Sequence, residues 1–163
     1  MRAIPGGTWK PLYGTDSIVF PVKTFQLDVY PVTNGQFLDF ARNYPGWQKG
    51  KVKALFADVG YLKHWSSAFS IGEAFRDVAV VNVSWFAAKK YCECQGKRLP
   101  TVAEWEFAAQ ASETQAGAVN ANSLRNYAAF MRYAMRASLK ADYTVANQGF
   151  RCAKDIRNAV EIK

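Results

Sequence analysis

The cysteine, histidine, carboxylate and guanidinium groups of this chain are the ones that could do chemistry, and their spacing limits what that chemistry can be. There are three cysteines, Cys92, Cys94 and Cys152, and one histidine, His64. Cys92 and Cys94 could be taken for a metal pair, but side chains two apart on a helix diverge by about 200°, so both cannot face one ion. His64 lies between Lys63 and Trp65, and a solitary histidine reads as a surface or hydrogen-bonded residue rather than a ligand. Glu104 and Glu106 look like an acid pair only until a helix cap claims Glu104. Glu106 is then most simply a partner for Arg98 or Arg151. The sequence has no serine, histidine and acid arrangement for acyl transfer and no glycine-rich phosphate loop.

These residues must be positioned by the stretch from Val80 to Phe107. Ser84 stands where an N-cap belongs, and Trp85, Ala88, Tyr91 and Cys92 recur at helical spacing, which predicts a short helix with those four on its buried face. Gly96 ends it. Pro100 lacks an amide donor and restricts Leu99, so Lys97-Arg98-Leu99-Pro100 is a corner. Thr101-x-x-Glu104 then opens a second helix as a capping box, with Trp105, Ala108 and Ala109 as its buried stripe. Arg98 is held at the turn between the two helices, where a guanidinium ties to carbonyls or a carboxylate.

The rest of the chain frames that pair. Ile4 to Tyr13 reads as a strand or extended arm broken at Pro5-Gly6-Gly7, and Phe20 to Val32 as strands ended by Pro21 and Pro31. Thr33-x-x-Gln36 is a second capping box, followed by Phe37, Phe40 and Ala41 on one helical face. Tyr44 to Gly72 is expected to wrap the core as ordered loop, pinned by Trp47, Phe56, Tyr61 and Trp65. Ala111 to Asn122 is polar and aperiodic. The chain closes with a turn at Asn147-Gln-Gly149, then a strand placing Phe150 and Cys152 on one face and Arg151 on the other.

At 163 residues, half of them hydrophobic, the chain is expected to form one packed domain over residues 1–163. Its formal charge of +8 permits an acidic partner, nucleic acid or an anionic membrane surface. The basic residues are scattered, locally enriched only from Lys49 to Lys63, so a solvated basic surface is expected and nucleic acid is not. No apolar run reaches the roughly 20 residues of a membrane span. Met1 to Gly7 reads as strand and turn rather than a leader, which leaves the cytoplasm, or a compartment reached after leader removal, as the expected location.

Asn82-Val-Ser-Trp85, Tyr91-Cys92, Gly96-Lys-Arg-Leu-Pro-Thr101, Ala103-Glu-Trp-Glu106 and the closing Asn147-Gln-Gly-Phe-Arg-Cys-Ala153 together resemble the signature of the formylglycine-generating enzyme, or sulfatase-modifying factor, superfamily. The opening Ile4-Pro-Gly-Gly-Thr8 and Val32-Thr-Asn34 fit the same pattern in the same order. The resemblance implies an α+β fold of C-type-lectin-like architecture, with short helices on twisted, mostly antiparallel strands and much loop. It implies that Cys92 and Cys152 form the bridge of secreted members, with Cys94 free, so an oxidised pair would favour a bacterial periplasm over the cytoplasm. It also makes Arg98, Glu104, Trp105 and Arg151 structural residues.

The chain departs from the family in two places. Members carry a long segment with a Gly-Asn-Val-Trp-Glu-Trp motif and calcium ligands where this sequence has only the bridge between about 111 and 122. The active enzymes hold copper(I) on two cysteines near the C-terminus, and counting back from Cys152, with Arg132 and Arg136 in register, those positions fall on Ser123 and Ala128. A hydroxyl and a methyl group cannot replace thiolates. A second branch uses iron on a His-x-x-x-His-x-Glu cluster, which His64 alone cannot build. The expectation is a non-canonical member with no catalytic residue and no cofactor, calcium or copper entering only with the family's central segment. The favoured role is an accessory or binding protein with a protein partner. Trp9-Lys-Pro-Leu-Tyr13, Phe56-Ala-Asp58 and Tyr61 to Trp65 resemble members associated with nitrite reductase. The alternatives are a cofactor-dependent oxidase that modifies a protein cysteine, as in sulfatase activation, with its catalytic residues in the family's central segment, and a lectin-like display domain whose candidate ligand surface is Tyr127, Phe130, Arg132, Tyr133 and Arg136.

Overall fold

The computed structural model describes residues 1–10, 19–71, 76–113 and 140–156, with the side chains of the third helix described as far as 109. Among the described residues it is an α+β arrangement of three α-helices and two small antiparallel sheets. Strand β1 (Arg2–Ile4) pairs with β4 (Phe25–Leu27), which pairs in turn with β5 (Ala153–Asp155), so β4 is the central strand and the two ends of the described chain share one sheet. Strands β2 (Gly7–Trp9) and β3 (Phe20–Val22) make a separate two-stranded ribbon. Pro21, expected to mark a strand end, instead sits inside β3 opposite Thr8. A ribbon of two strands has only edges, where a missing amide donor costs no ladder bond.

Helix α1 (Asn34–Asn43) begins at the expected capping box. Gln36 N donates to Thr33 Oγ1 at 3.3 Å, and Gln36 Oε1 accepts from Thr33 N at 3.0 Å. Its Phe37, Phe40 and Ala41 are buried. From Tyr44 to Ser70 the chain runs as turns and one short 3-10 segment, Pro45–Trp47, and Tyr61, Leu62 and Trp65 enter the core. Phe37 is the centre of that core: its ring stacks on Tyr91 at 5.8 Å and meets Trp65 and Phe150 edge-on at 6.3 and 6.2 Å. A second, smaller cluster, Trp9, Val22, Phe25, Leu27, Ala108 and Ala153, lies between the strands and helix α3 (Val102–Glu113).

Helix α2 (Trp85–Cys94) starts at Ser84, whose hydroxyl accepts from Ala87 N at 3.2 Å. It ends in a Schellman arrangement: Gly96 N donates to Glu93 O and Lys97 N to Cys92 O, with Gly96 at φ +65°. Nothing stands near a Cβ at Gly96, so an alanine there meets only the cost of left-handed backbone. Gly96→Ala is expected to lower stability by about 1 kcal/mol, read from urea unfolding.

Two tryptophans expected on buried stripes are not there. Trp85 is 49% exposed and Trp105 42%. Trp85 is the first residue of α2, where a helix has no neighbouring turn to close over it, and Ala87 takes the inward position with Ala88, Tyr91 and Cys92. Trp105 lies at the rim of α3, covered on one ring face by the Arg151 guanidinium at 4.3 Å. The closing strand also starts later than expected. Phe150 to Cys152 run extended, their carbonyls accepting from Val32 N and Asp28 N, and regular pairing begins at Ala153.

Candidate functional site

The corner between α2 and α3 brings together Arg98, Glu104 and Asp155. Thr101 N donates to Glu104 Oε2 at 2.8 Å and Glu104 N to Thr101 Oγ1 at 3.2 Å, closing the second capping box. The same carboxylate takes the fork of Arg98, Nη1 to Oε2 at 2.7 Å and Nη2 to Oε1 at 2.6 Å. Arg98 also donates to the Leu99 carbonyl at 3.2 Å and through Nε to Asp155 Oδ1 at 3.1 Å. Its backbone exchanges two bonds with Ala153, at 2.8 and 2.7 Å, adding the corner to the edge of β5. One guanidinium thus joins a helix cap, a turn and the last described strand.

The charges respond accordingly. Burial alone would raise the Glu104 carboxyl, but the hydrogen bonds and charge of Arg98 and the bonds of Thr101 outweigh it and hold it below its ordinary value. The bond to Glu104, with that to Asp155, raises Arg98 further. Hydrogen bonding from Arg98 lowers Asp155. Arg151 moves the other way, lowered by burial against Trp105 and partly restored by Asp28.

Glu106 corrects the sequence reading: its carboxylate accepts from the Trp9 indole at 3.0 Å, while Arg98 takes Glu104 and Asp155, and Arg151 stacks on Trp105. Three aspartates for which the sequence predicted no structural role also have structural work. Asp28 binds Lys97 Nζ at 2.7 Å and accepts from Cys152 N at 3.3 Å. Asp58 accepts from Gly60 N and Thr144 N. Asp155 completes the Arg98 cluster. The signal available for them was their placement beside a glycine or a strand end, which is too common to single a residue out.

Cys92 and Cys152 are joined in a disulfide across a sequence separation of 60, with their Cα atoms 5.6 Å apart. Both are fully buried. Cys94 is the one free cysteine, and with three cysteines in the chain a pair of thiolates for copper(I) cannot be assembled once the bridge is formed. The donor set therefore does not fit the family's copper. His64 Nε2 lies 2.9 Å from Asn34 Oδ1, which also accepts from the Trp65 indole at 2.9 Å, and burial followed by the charge of Lys49 lowers the imidazole. His64 is tied into the loop, as a hydrogen-bonded histidine should be.

A cleft of about 470 Å³ lies between the start of α2 and residues 140–150, lined by Ser84, Trp85, Leu99, Tyr143, Gln148 and Phe150. Its Ser84 oxygen is used by the helix cap. Ser123, Ala128, Tyr127, Phe130, Arg132, Tyr133 and Arg136 lie outside the described residues.

The sequence matches the family described as Sulfatase-modifying factor enzyme 1-like domain over residues 3–117. It is 32% identical to "Inactive C-alpha-formylglycine-generating enzyme 2" of Mus musculus, covering 68% of this chain and 47% of that protein. It is also 32% identical to "Formylglycine-generating enzyme" of Thermomonospora curvata, over 71% of this chain and 50% of the relative. "Serine/threonine-protein kinase pkn1" of Chlamydia pneumoniae is 38% identical over 53% of this chain and 14% of the kinase. The chain spans about half the length of the formylglycine-generating relatives it matches. With the family's motif order and a match over most of its length in agreement, the chain belongs to the sulfatase-modifying factor enzyme 1-like family.

Proposed function

We propose that this protein is a formylglycine-generating-enzyme-like member that has lost the oxidase chemistry and works as an accessory or binding protein, its residues 1–163 forming a single domain. The observation that carries the reading is the thiol count: two of three cysteines are spent on the Cys92–Cys152 bridge, and the positions matching the copper pair are Ser123 and Ala128. The groups at the α2–α3 corner support it, since Arg98, Glu104 and Asp155 bind one another and fasten folded elements. That the mouse and cattle relatives are named as inactive is consistent with the same outcome.

The test is direct. With copper(I), oxygen and a cysteine-containing peptide, the protein is expected to consume no oxygen and form no aldehyde on the peptide, by mass spectrometry. Aldehyde formation would sink the reading and make the protein a cysteine-modifying oxidase.

Nitrite reductase is the partner that the sequence resemblance suggests. Of the residues carrying that resemblance, Ala57, Tyr61, Leu62 and Trp65 are buried, so a partner would be recognised by other positions. Normal nitrite reductase maturation in a strain lacking this protein would remove that partner from the reading.

A further inference from the structure

We propose that the face formed by residues 51–59, the start of α2 and residues 140–143 docks on an anionic lipid surface. The proposal is independent of the accessory role. Leu55 is 73% exposed and Val59 is fully exposed, yet the loop that carries them is pinned. Phe56 lies between Trp47 at 5.9 Å and Phe86 at 5.4 Å. Phe56 N and Ala57 N both donate to Lys53 O, and Asp58 N donates to Asp142 O at 2.9 Å. The two aliphatic side chains therefore stand in water on a held backbone.

The same contacts place two exposed aromatics beside them. Trp85 adjoins Phe86, with ring centroids 5.4 Å apart, and its amide donates to Ala141 O at 3.0 Å. Tyr143, 51% exposed, lies between the two residues that bond Asp58. The rim is basic. Lys51, Lys53 and Lys140 are exposed, and Lys89 lies 5.2 Å from the Trp85 ring centroid. Of the nearby acids, Asp58 keeps its charge while turned to the amides of Gly60 and Thr144, and Glu93 pairs with Lys89 at 3.8 Å, so the free positive charge of the rim is that of Lys51, Lys53 and Lys140. Asp142 is half-buried. Lys49 is turned inward onto the carbonyls of Lys63 and Trp65 and adds nothing to the rim.

Protruding aliphatics, an exposed tryptophan and an exposed tyrosine on adjoining stretches, and lysines near them are the composition of an interfacial contact with anionic lipid. Trp85 and Tyr143 also line the cleft beside α2, but Leu55 and Val59 stand outside it and project outward, where a pocket that receives a partner's side chain would not use them. Single-strand nucleic-acid platforms stack bases on aromatics along a charged groove, whereas Leu55 and Val59, which offer no ring to stack on, are the most exposed apolar side chains of this face.

Sedimentation of the whole protein with vesicles of phosphatidylcholine, alone or mixed with phosphatidylglycerol, tests the assignment. Binding is expected only to the anionic vesicles. Replacing Lys51 and Lys53 together by alanine should weaken it about thirtyfold. Replacing Leu55 and Val59 together by serine should remove the part that survives high salt, with the far-UV circular dichroism of both variants unchanged. No binding to anionic vesicles overturns the proposal, as does binding indifferent to either pair. Equal retention on polyglutamate, with the same dependence on Leu55 and Val59, overturns it in favour of an acidic polypeptide.

Discussion

Cys92→Ala is expected to lower the stability of this protein by about 4 kcal/mol, the largest effect of any single substitution considered. The bridge joins the last turn of α2 to the residue before β5 and closes a separation of 60 residues. Opening it releases that loop in the unfolded chain, which by the chain-entropy estimate gives about 4 kcal/mol. Domains of this kind have only about 5–15 kcal/mol in total, so the loss should lower the melting temperature by roughly 10 °C. Cys92→Ala, Cys152→Ala and the double variant should be nearly equally unstable, because each removes the same bond, and reductant should bring the native protein close to them. Cys94→Ser should leave the melting temperature where it is. Thermal unfolding followed by circular dichroism, with and without phosphine reductant, decides it. A native protein indifferent to reductant would show that the bridge is not formed in solution and would return two thiols to the copper question.

What the sequence made legible was local. Ser84, Gly96, Thr101 with Glu104, and Thr33 with Gln36 each act within a few residues of themselves, and the structure places the helix ends where these residues predict. The pattern of apolar spacing was less informative where an element meets solvent. Trp85 and Trp105 lie at helical positions that would be buried in a longer or more enclosed helix, and what cover they have comes from cations over their rings, Lys89 and Arg151, which spacing alone does not reveal. Partners distant in sequence were not legible at all. Glu106 and Trp9 are 97 positions apart, and Asp28 and Cys152 are 124 apart. No spacing rule relates such pairs, and the choice of Trp9 over Arg98 for Glu106 follows from α3 packing against β2 and β3. Composition likewise showed a basic chain but could not show that residues 51–59, the start of α2 and residues 140–143 adjoin one another, because they come from three separate stretches.

Arg98→Ala is expected to cost about 2–3 kcal/mol, below the full penalty of breaking a buried pair because the arginine side chain is 33% exposed and that of Asp155 is 73% exposed. The loss falls mainly on Glu104, whose side chain is 12% exposed in the native protein and whose carboxylate would keep only the Thr101 cap. Arg98→Lys should recover only part, since one ammonium cannot place two parallel bonds on the carboxylate and also reach Asp155. The pH dependence gives the interaction a signature of its own. The carboxyls of Glu104 and Asp155 are held lower in the folded protein than their ordinary values near 4. Their contribution is therefore present in full above the unfolded value and disappears as pH falls through the folded one. Urea unfolding between about pH 3 and 7 should show native stability rising with pH across the acid part of that range, and the slope should flatten in Arg98→Ala. A variant that lost stability but kept the native slope would mean that Arg98 acts through packing rather than charge. In that case the corner would be held by the Thr101 cap and the two backbone bonds to Ala153, with the guanidinium serving as a spacer between α3 and β5.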